Sequence, residues 1–134
     1  KCREAFRPFA PSVLADRAEE FFHVPAPSAF MQFTVRVKPS AKGILPAVTH
    51  VDGTARVQTV TREANPRFYN LLATFGRLTG VPVLLNTSFN VQEPIVCTPE
   101  EAVRCFQRTQ VDWLVLGNLL VRRPSPMPLQ HHEG

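Results

Sequence analysis

The sequence predicts an α/β (α+β) domain in which helices flank a mixed β-sheet. Residues 30–38 alternate between apolar and polar side chains, as a half-buried strand does. Residues 66–79 repeat apolar side chains at helical spacing. A short apolar segment, 81–85, follows this helix directly. Strands and helices that alternate along a chain pack as layers around a shared core, so we expect a sheet covered by helices.

The first thirty residues predict little regular structure. The opening segment, 1–7, is charged, and Pro8 and Pro11 then exclude a helix interior, which predicts extended chain. Residues 14–22 predict a short helix, and the proline-containing segment 25–29 predicts a loop. In the alternating strand that follows, one face carries the apolar side chains Met31, Phe33, Val35 and Val37.

The middle of the chain predicts two strands and then the clearest helix. Residues 46–61 are rich in β-branched side chains and predict two short strands around a tight turn at Asp52-Gly53. Asn65 is a favourable N-cap for the helix, and Gly80 a natural stop. The apolar stripe expected to pack on the sheet consists of Phe68, Leu71, Leu72, Phe75 and Leu78. The following segment, 81–85, predicts a strand buried on both faces.

The last third predicts one more helix and a strand pair. Thr98 and Glu101 have the spacing of a capping box, and the helix should end near Thr109. Residues 113–116 and 119–122 predict strands joined at Gly117-Asn118. We therefore expect one domain over residues 1–123 and a proline-rich, disordered tail over residues 124–134.

Composition narrows the classes of function. The 134 residues carry a formal charge of +4, which favours an anionic partner, although a basic surface without function is equally compatible. Three cysteines without a CxxC pair indicate neither a disulfide framework nor a zinc site, and they favour the cytoplasm. The sequence has no apolar run long enough to span a membrane and no Walker A, GxGxxG or GxSxG motif.

A first polar cluster lies at the start of the chain. If residues 1–7 are extended, Lys1, Arg3 and Arg7 share one face and could bind a polyphosphate. A charged edge strand that blunts aggregation is the alternative.

The second and third clusters lie at residues 50–60 and 86–90. Arg56 follows a glycine turn beside Thr54, and its neighbours suggest that it lies opposite a packed face. His50 and Asp52 are weak evidence for a metal, because two ligands do not make a site. The uncharged groups of the third cluster, which could hold phosphate or carbonyl oxygens, are Asn86, Thr87, Ser88 and Asn90.

These clusters resemble, in order, the C-terminal domain of the NodU/CmcH O-carbamoyltransferase family. The matching segments are KCREAFRPFAPSVL, PAVTHVDGTARVQTV, TGVPVLLNTSFN and EPIVCTPEEA, which together reach to about Leu120. The family's domain is similar to YrdC, a twisted sheet with helices and a KxR…SxN signature. Lys1-Cys2-Arg3 and Ser88-Phe89-Asn90 match that signature.

The resemblance implies an enzyme that uses ATP and carbamoyl phosphate, with Mg²⁺, to form carbamoyladenylate. By carry-over, Lys1, Arg7 and Arg56 would bind phosphates and the carbamoyl group, and Asn86 and Ser88 would hold the nucleotide phosphate or the carbamoyl moiety. Arg3 and Asn90 complete the match. A separate N-terminal metal-bearing domain would then transfer the carbamoyl group to a hydroxyl acceptor, and no metal ligand is expected in this chain.

Two departures from the family pattern shape these expectations. Val91-Gln92-Glu93 lacks the glycine that usually precedes the glutamate, which suggests a shorter loop after Asn90. The family's YrdC-like domain also usually starts some tens of residues earlier, so we expect a fragment truncated at its N-terminus. The alternatives left open are a non-catalytic fragment that binds nucleotide or RNA, and a tRNA threonylcarbamoyl-AMP synthase.

Overall fold

The computed structural model describes residues 8–124, and within them the chain has mixed α and β content, as expected. The fold forms two compact units, which divide between Thr87 and Ser88. The strands are β1 Ala10–Leu14, β2 Thr34–Arg36, β3 Thr54–Arg56, β4 Gln58–Val60, β5 Val83–Asn86, β6 Trp113–Leu116 and β7 Leu119–Arg122. The helices are α1 Pro39–Lys42, α2 Pro66–Thr79 and α3 Pro99–Arg108.

The first unit is built on a mixed three-stranded sheet in the order β4-β1-β5. Strand β1 runs parallel to β4 and antiparallel to β5. Pro11 lies within this central strand, although proline cannot donate a ladder hydrogen bond. The register explains its position: pairing with β4 begins only at Ser12, so at Pro11 the strand has β5 alone beside it.

Helix α2 covers one face of that sheet. Its Asn65 cap accepts a hydrogen bond from the Phe68 amide at 3.1 Å, and Gly80 ends it at φ 81°. Leu72 is completely buried and packs with Leu14 and Val60 of the sheet. The other face of the sheet contributes to the larger core around Phe22, to which the β2–β3 pair also belongs.

Helix α2 and the chain entering β5 approach very closely at Gly76. A Cβ atom built on Gly76 would lie 2.7 Å from Cβ of Pro82, closer than real Cβ atoms approach. Gly76 is itself buried, so only a residue without a side chain permits this contact.

The second unit pairs α3 with the β6–β7 hairpin. The capping box is formed: Glu101 N donates to Thr98 Oγ1 at 3.2 Å, and the Glu101 carboxylate accepts from Thr98 N. At the other end, Arg123 donates to the carbonyl oxygens of Phe106 and Thr109, which supplies partners for the last carbonyls of the helix. The hairpin turns at Gly117, which has φ 60°.

The strand predicted over residues 30–38 is wrong over its first half. Met31 has φ 54°, which an extended strand does not allow, so the strand begins only at Thr34. It runs to Arg36, and Val37 adds an isolated antiparallel bridge to Phe22. Val35 and Val37 are buried as expected, but Phe33 of the same predicted face is 54% exposed. Phe30, just before Met31, is 79% exposed. The alternation in the sequence continues past the point where the backbone reverses.

Four other expectations need correction. The two strands predicted around Asp52-Gly53 both follow that turn, because the segment before it begins with a 3-10 turn at Pro46–Val48. The segment predicted as a helix from residue 14 is the end of β1 followed by a 3-10 helix, Ala15–Glu20. Strand β5 is not buried on both faces, since Leu85 is exposed, and the outer residues Leu71 and Leu78 of the α2 stripe are exposed as well.

Candidate functional site

The polar segment at the end of β5 begins inside the strand. Asn86 is the last residue of β5 and pairs with Ala10 of β1. Its side-chain Nδ2 lies 2.7 Å from Oε1 of Gln58. Antiparallel pairing with the central strand therefore fixes the backbone of Asn86, and a second strand fixes its side chain.

Gln58 is the centre of a hydrogen-bond network that the sequence reasoning did not single out. Its Oε1 accepts from the Ser12 hydroxyl and from Asn86, both at 2.7 Å. Its Nε2 donates to the carbonyl oxygen of Ala29 at 3.0 Å. The sequence does mark Gln58 as unusual, because it is a polar residue within a segment of β-branched residues. Its partners, however, are 28 or more residues away, so the sequence does not show which residues it contacts.

The segment 25–29, predicted as a plain loop, lines this network. Ser28 is buried, and its hydroxyl donates to the Val57 carbonyl at 2.9 Å while its amide donates to the Thr59 hydroxyl. The loop therefore follows β4 closely, and its Ala29 carbonyl is held where Gln58 can donate to it.

Within the second unit, Ser88 and Asn90 are linked to each other. The Ser88 hydroxyl donates to Oδ1 of Asn90 at 2.8 Å, and Asn90 Nδ2 donates to the carbonyl oxygen of Glu93 at 2.7 Å. The amide of Val96 closes this loop by donating to the carbonyl of Phe89. Thr87, the last residue of the first unit, is exposed.

The turn before β3 is stabilised by Asp52. Its Oδ1 accepts from the Thr54 hydroxyl at 2.7 Å and from the Thr54 amide at 2.9 Å, and these bonds hold the pKa of Asp52 below its ordinary value. His50 Nδ1 lies 3.1 Å from the same hydroxyl. The Thr54 hydroxyl is therefore engaged within the turn.

Arg56 and Arg36 share the exposed face of the β2–β3 pair. Arg56 lies opposite Thr34 and Arg36 opposite Thr54, so the four side chains are on one side of the ladder. Arg56 is exposed, while its neighbours Ala55 and Val57 are fully buried, as the sequence suggested. Arg36 also lowers the pKa of Asp52, although the hydrogen bonds from Thr54 contribute more.

Arg36 was not among the residues selected from the sequence. The alternation placed it on the polar face of its strand, but the partner strand was unknown. That Arg36 shares a face with Arg56 follows only from the pairing of Thr34–Arg36 with Thr54–Arg56. Together the two guanidinium groups form a cationic face, defined here by Arg36 and Arg56, which could bind an anion.

Three of the predicted cations, Lys1, Arg3 and Arg7, lie outside the described residues. Among residues 8–124, no group of three or more His, Cys, Asp or Glu side chains could hold a metal ion. Two clefts, of about 300 and 350 Å³, are lined by other residues, such as His23 and Lys38 in the first and Arg104 and Arg108 in the second. None of the helices in the described part of the chain has the length and apolar character needed to cross a membrane.

Comparison with known proteins identifies close relatives. The chain is 48% identical over 97% of its length to the nodulation protein NolO of Bradyrhizobium diazoefficiens, of which it covers 24%. It is 48% identical over 93% of its length to an uncharacterized protein of Synechocystis, again covering 24%. It is 37% identical over 93% of its length to nodulation protein U of Sinorhizobium fredii, covering 22%. The chain thus spans about a quarter of the length of these relatives.

A family model agrees with these relationships. The model described as "Carbamoyltransferase C-terminus" matches residues 1–123, which includes all three clusters singled out in the sequence. The match extends over the β-sheet with its Gln58 network and over the cationic face, so both features belong to the matched domain. The chain therefore belongs to the carbamoyltransferase C-terminal family.

Proposed function

We propose that this domain activates a carbamoyl group by forming carbamoyladenylate from carbamoyl phosphate and ATP, as the C-terminal part of an O-carbamoyltransferase. Family membership supports carbamoyl transfer. The observation that carries the ATP-dependent step is the cationic face, because two exposed arginines on one side of a short ladder suit a polyphosphate. A YrdC-like fold is part of this proposal.

The chemistry joins two anions, so it needs fixed positive charge. Carbamoyl phosphate and one water give carbamate and phosphate. A carbamate oxygen then attacks the α-phosphorus of ATP, and pyrophosphate leaves. Arg56, with Arg36 beside it and with Lys1, Arg3 and Arg7, would offset the repulsion between substrates and the charge that develops on the oxygens. Orientation of the reactants supplies the remaining acceleration, so no protein nucleophile is required.

The remaining parts of the proposal concern groups outside this chain. Mg²⁺ would arrive with ATP, bound through the oxygens of its phosphates. An N-terminal metal-bearing domain would pass the carbamoyl group to a hydroxyl of a small acceptor, in the cytoplasm. The relatives are about four times longer than this chain, which supports the presence of at least one further domain in the full-length protein.

The test is made in a complete enzyme that carries both domains. Pyrophosphate release from ATP would be measured with and without carbamoyl phosphate, for the parent, Arg56→Ala and Arg67→Ala. Both variants lose one exposed positive charge, but Arg67 lies on α2, away from the β2–β3 pair. We expect Arg56→Ala to lower the rate by on the order of 10²-fold and Arg67→Ala to leave it unchanged. Equal effects of the two variants would contradict the assigned role of Arg56.

One observation favours a second candidate, the binding of RNA without catalysis. RNA-binding surfaces combine exposed aromatics with cations, and the exposed Phe30 and Phe33 directly precede the strand that carries Arg36. Tight binding of single-stranded RNA that is lost in Phe33→Ala, without carbamoyl phosphate-dependent use of ATP, would favour it.

A further inference from the structure

We infer that Asn86 recognises the amino group of the carbamoyl moiety, and that Gln58 is the positioning residue that turns Asn86 toward that group. This inference rests on the proposed function and deepens it, because it assigns the feature by which the site would select a carbamoyl substrate. The direction of the hydrogen bonds in the Gln58 network fixes which end of each side-chain amide faces which partner.

The orientation of the Gln58 amide is determined by the Ala29 carbonyl. A backbone carbonyl oxygen can only accept a hydrogen bond, so the end of the Gln58 side chain that lies 3.0 Å from it must be the NH₂ group. The other end, Oε1, therefore faces Ser12 and Asn86. The Ser12 hydroxyl, completely buried, donates to that oxygen at 2.7 Å and reinforces the same orientation.

This orientation in turn determines that of Asn86. An amide oxygen has no proton to donate, so the Asn86 atom 2.7 Å from Gln58 Oε1 must be Nδ2. The Asn86 oxygen, Oδ1, then lies on the opposite side of its side chain, and no described residue donates a hydrogen bond to it. Asn86 is partly exposed at the end of β5, so this oxygen can be reached by a ligand.

An exposed amide oxygen selects ligands that carry N–H or O–H groups. It repels the oxygens of a phosphate. Of the two ligands that the resemblance implied for Asn86, a nucleotide phosphate or the carbamoyl moiety, this orientation favours the carbamoyl moiety. Carbamoyl phosphate offers an NH₂ group where its near-isostere acetyl phosphate has a methyl group. If acetyl phosphate binds, its methyl group leaves the partly desolvated Asn86 oxygen without a hydrogen bond, which costs binding free energy. A site that hydrogen-bonds a substrate NH group can therefore discriminate strongly against an analogue that lacks it.

The experiment compares the two acyl phosphates in the complete enzyme. The quantity measured is kcat/KM for pyrophosphate release from ATP with carbamoyl phosphate, divided by that with acetyl phosphate. Asn86→Ala removes the acceptor, and Gln58→Met keeps the length of the side chain but lets the Asn86 amide turn. We expect both to lower the ratio by on the order of 10-fold or more and to leave KM for ATP unchanged. Gln107→Met makes the same substitution on the exposed surface of α3 and should not change the ratio.

A conservative variant separates positioning from folding. In Gln58→Glu, the protonated carboxyl group can donate to Ala29 and accept from Asn86, as glutamine does, whereas the carboxylate cannot donate. The ratio should therefore be retained at low pH and fall as the pH rises, while the parent shows no such change. Thermal melts identify any variant that fails to fold. If Gln58→Met does not fold, the inference is tested with Asn86→Ala and Gln58→Glu.

The outcomes separate a failure of the proposed function from a failure of the role assigned to Asn86. A parent enzyme without carbamoyl phosphate-dependent pyrophosphate release would overturn the proposed function and this inference with it. An active parent whose ratio is unchanged in Asn86→Ala and Gln58→Met would overturn the inference alone. If those variants raise KM for ATP instead, Asn86 faces the nucleotide, and recognition of the carbamoyl amino group is again ruled out.

Discussion

Ser88 illustrates how a single proton limits the role of a residue. Its hydroxyl has one hydrogen, and the structure directs it to Asn90. To donate to a phosphate or carbamoyl oxygen, the hydroxyl must turn away from Asn90 when substrate binds. In a complete enzyme we expect Ser88→Ala to lower the rate of carbamoyl phosphate-dependent ATP conversion by on the order of 10²-fold, with an unchanged melting temperature. A rate within a few-fold of the parent would make Ser88 a loop residue only.

At the same scale, the sequence indicated which residues were polar but not how they face. The crowding of amides and hydroxyls at residues 86–90 singled out Asn86, yet the orientation of Asn86 depends on Gln58 and Ala29. Orientation is set by partners that are distant in sequence, and spacing carries no information about them. The turn at Asp52 could be predicted from the sequence, because the hydrogen-bond partner of Asp52, Thr54, lies only two residues away.

The elements that were predicted best are those defined by local chemistry. Both long helices have their caps at Asn65 and Thr98, because a cap needs only a side chain and an amide within the first turn. Replacing Thr98 by alanine should lower the free energy of unfolding by about 1 kcal/mol, since the Glu101 amide loses its acceptor. Urea denaturation measures this, with Thr109→Ala at the other end of the helix for comparison.

The same cap makes the stability of α3 depend on pH in the acid range. The amides of Cys97 and Thr98 donate to the Glu101 carboxylate and lower its pKa below the ordinary value. Because folding lowers the pKa of this carboxyl group, its ionised form stabilises the folded state at pH values above the pKa of the unfolded chain, about 4.3. This stabilisation is lost as the pH falls through the lower pKa of the folded state. Glu101→Gln should therefore show a smaller loss of stability in acid than the parent, measured by denaturation from neutral pH downward.

Helix α2 offers a matched pair of leucines. Leu72 is 0% exposed and Leu78 is 81% exposed on the same helix. Leu72→Ala should cost about 2–5 kcal/mol of stability because it opens a cavity between helix and sheet, whereas Leu78→Ala should change stability by about 0.5 kcal/mol or less. Equal shifts of the chemical denaturation midpoint in the two variants would contradict the packing of α2 on the sheet.

The two strand errors have separate physical causes. Period-two alternation describes which side chains could share a face, but it does not show where the backbone reverses. Met31 reverses it within the alternating segment, and the exposed Phe30 and Phe33 lie around that point. Strand β5 was expected to be buried on both faces because it is apolar. Helix α2 covers the face of Leu84, but on the opposite face the larger core covers Val83 and leaves Leu85 exposed.

At the scale of the whole molecule, the fold class was predicted and the topology was not. Mixed α and β content follows from local patterns, whereas the order β4-β1-β5 joins segments that are far apart in the chain. Pairing of this kind depends on which apolar faces complement one another across long loops, and a single sequence does not encode it locally. The strands expected to form one sheet are divided among three small sheets in the described residues.

The close approach at Gly76 has a consequence for protein engineering. Replacing glycine by alanine inside a helix is a standard route to greater thermostability, because alanine has the higher helix propensity by about 1 kcal/mol. At Gly76 the new methyl group would meet Pro82, so Gly76→Ala should lower the melting temperature instead. Gly43 has open space around it and φ −71°, and Gly43→Ala should raise the melting temperature slightly. A consensus or library design for this domain can therefore include alanine at position 43 but must keep position 76 as glycine.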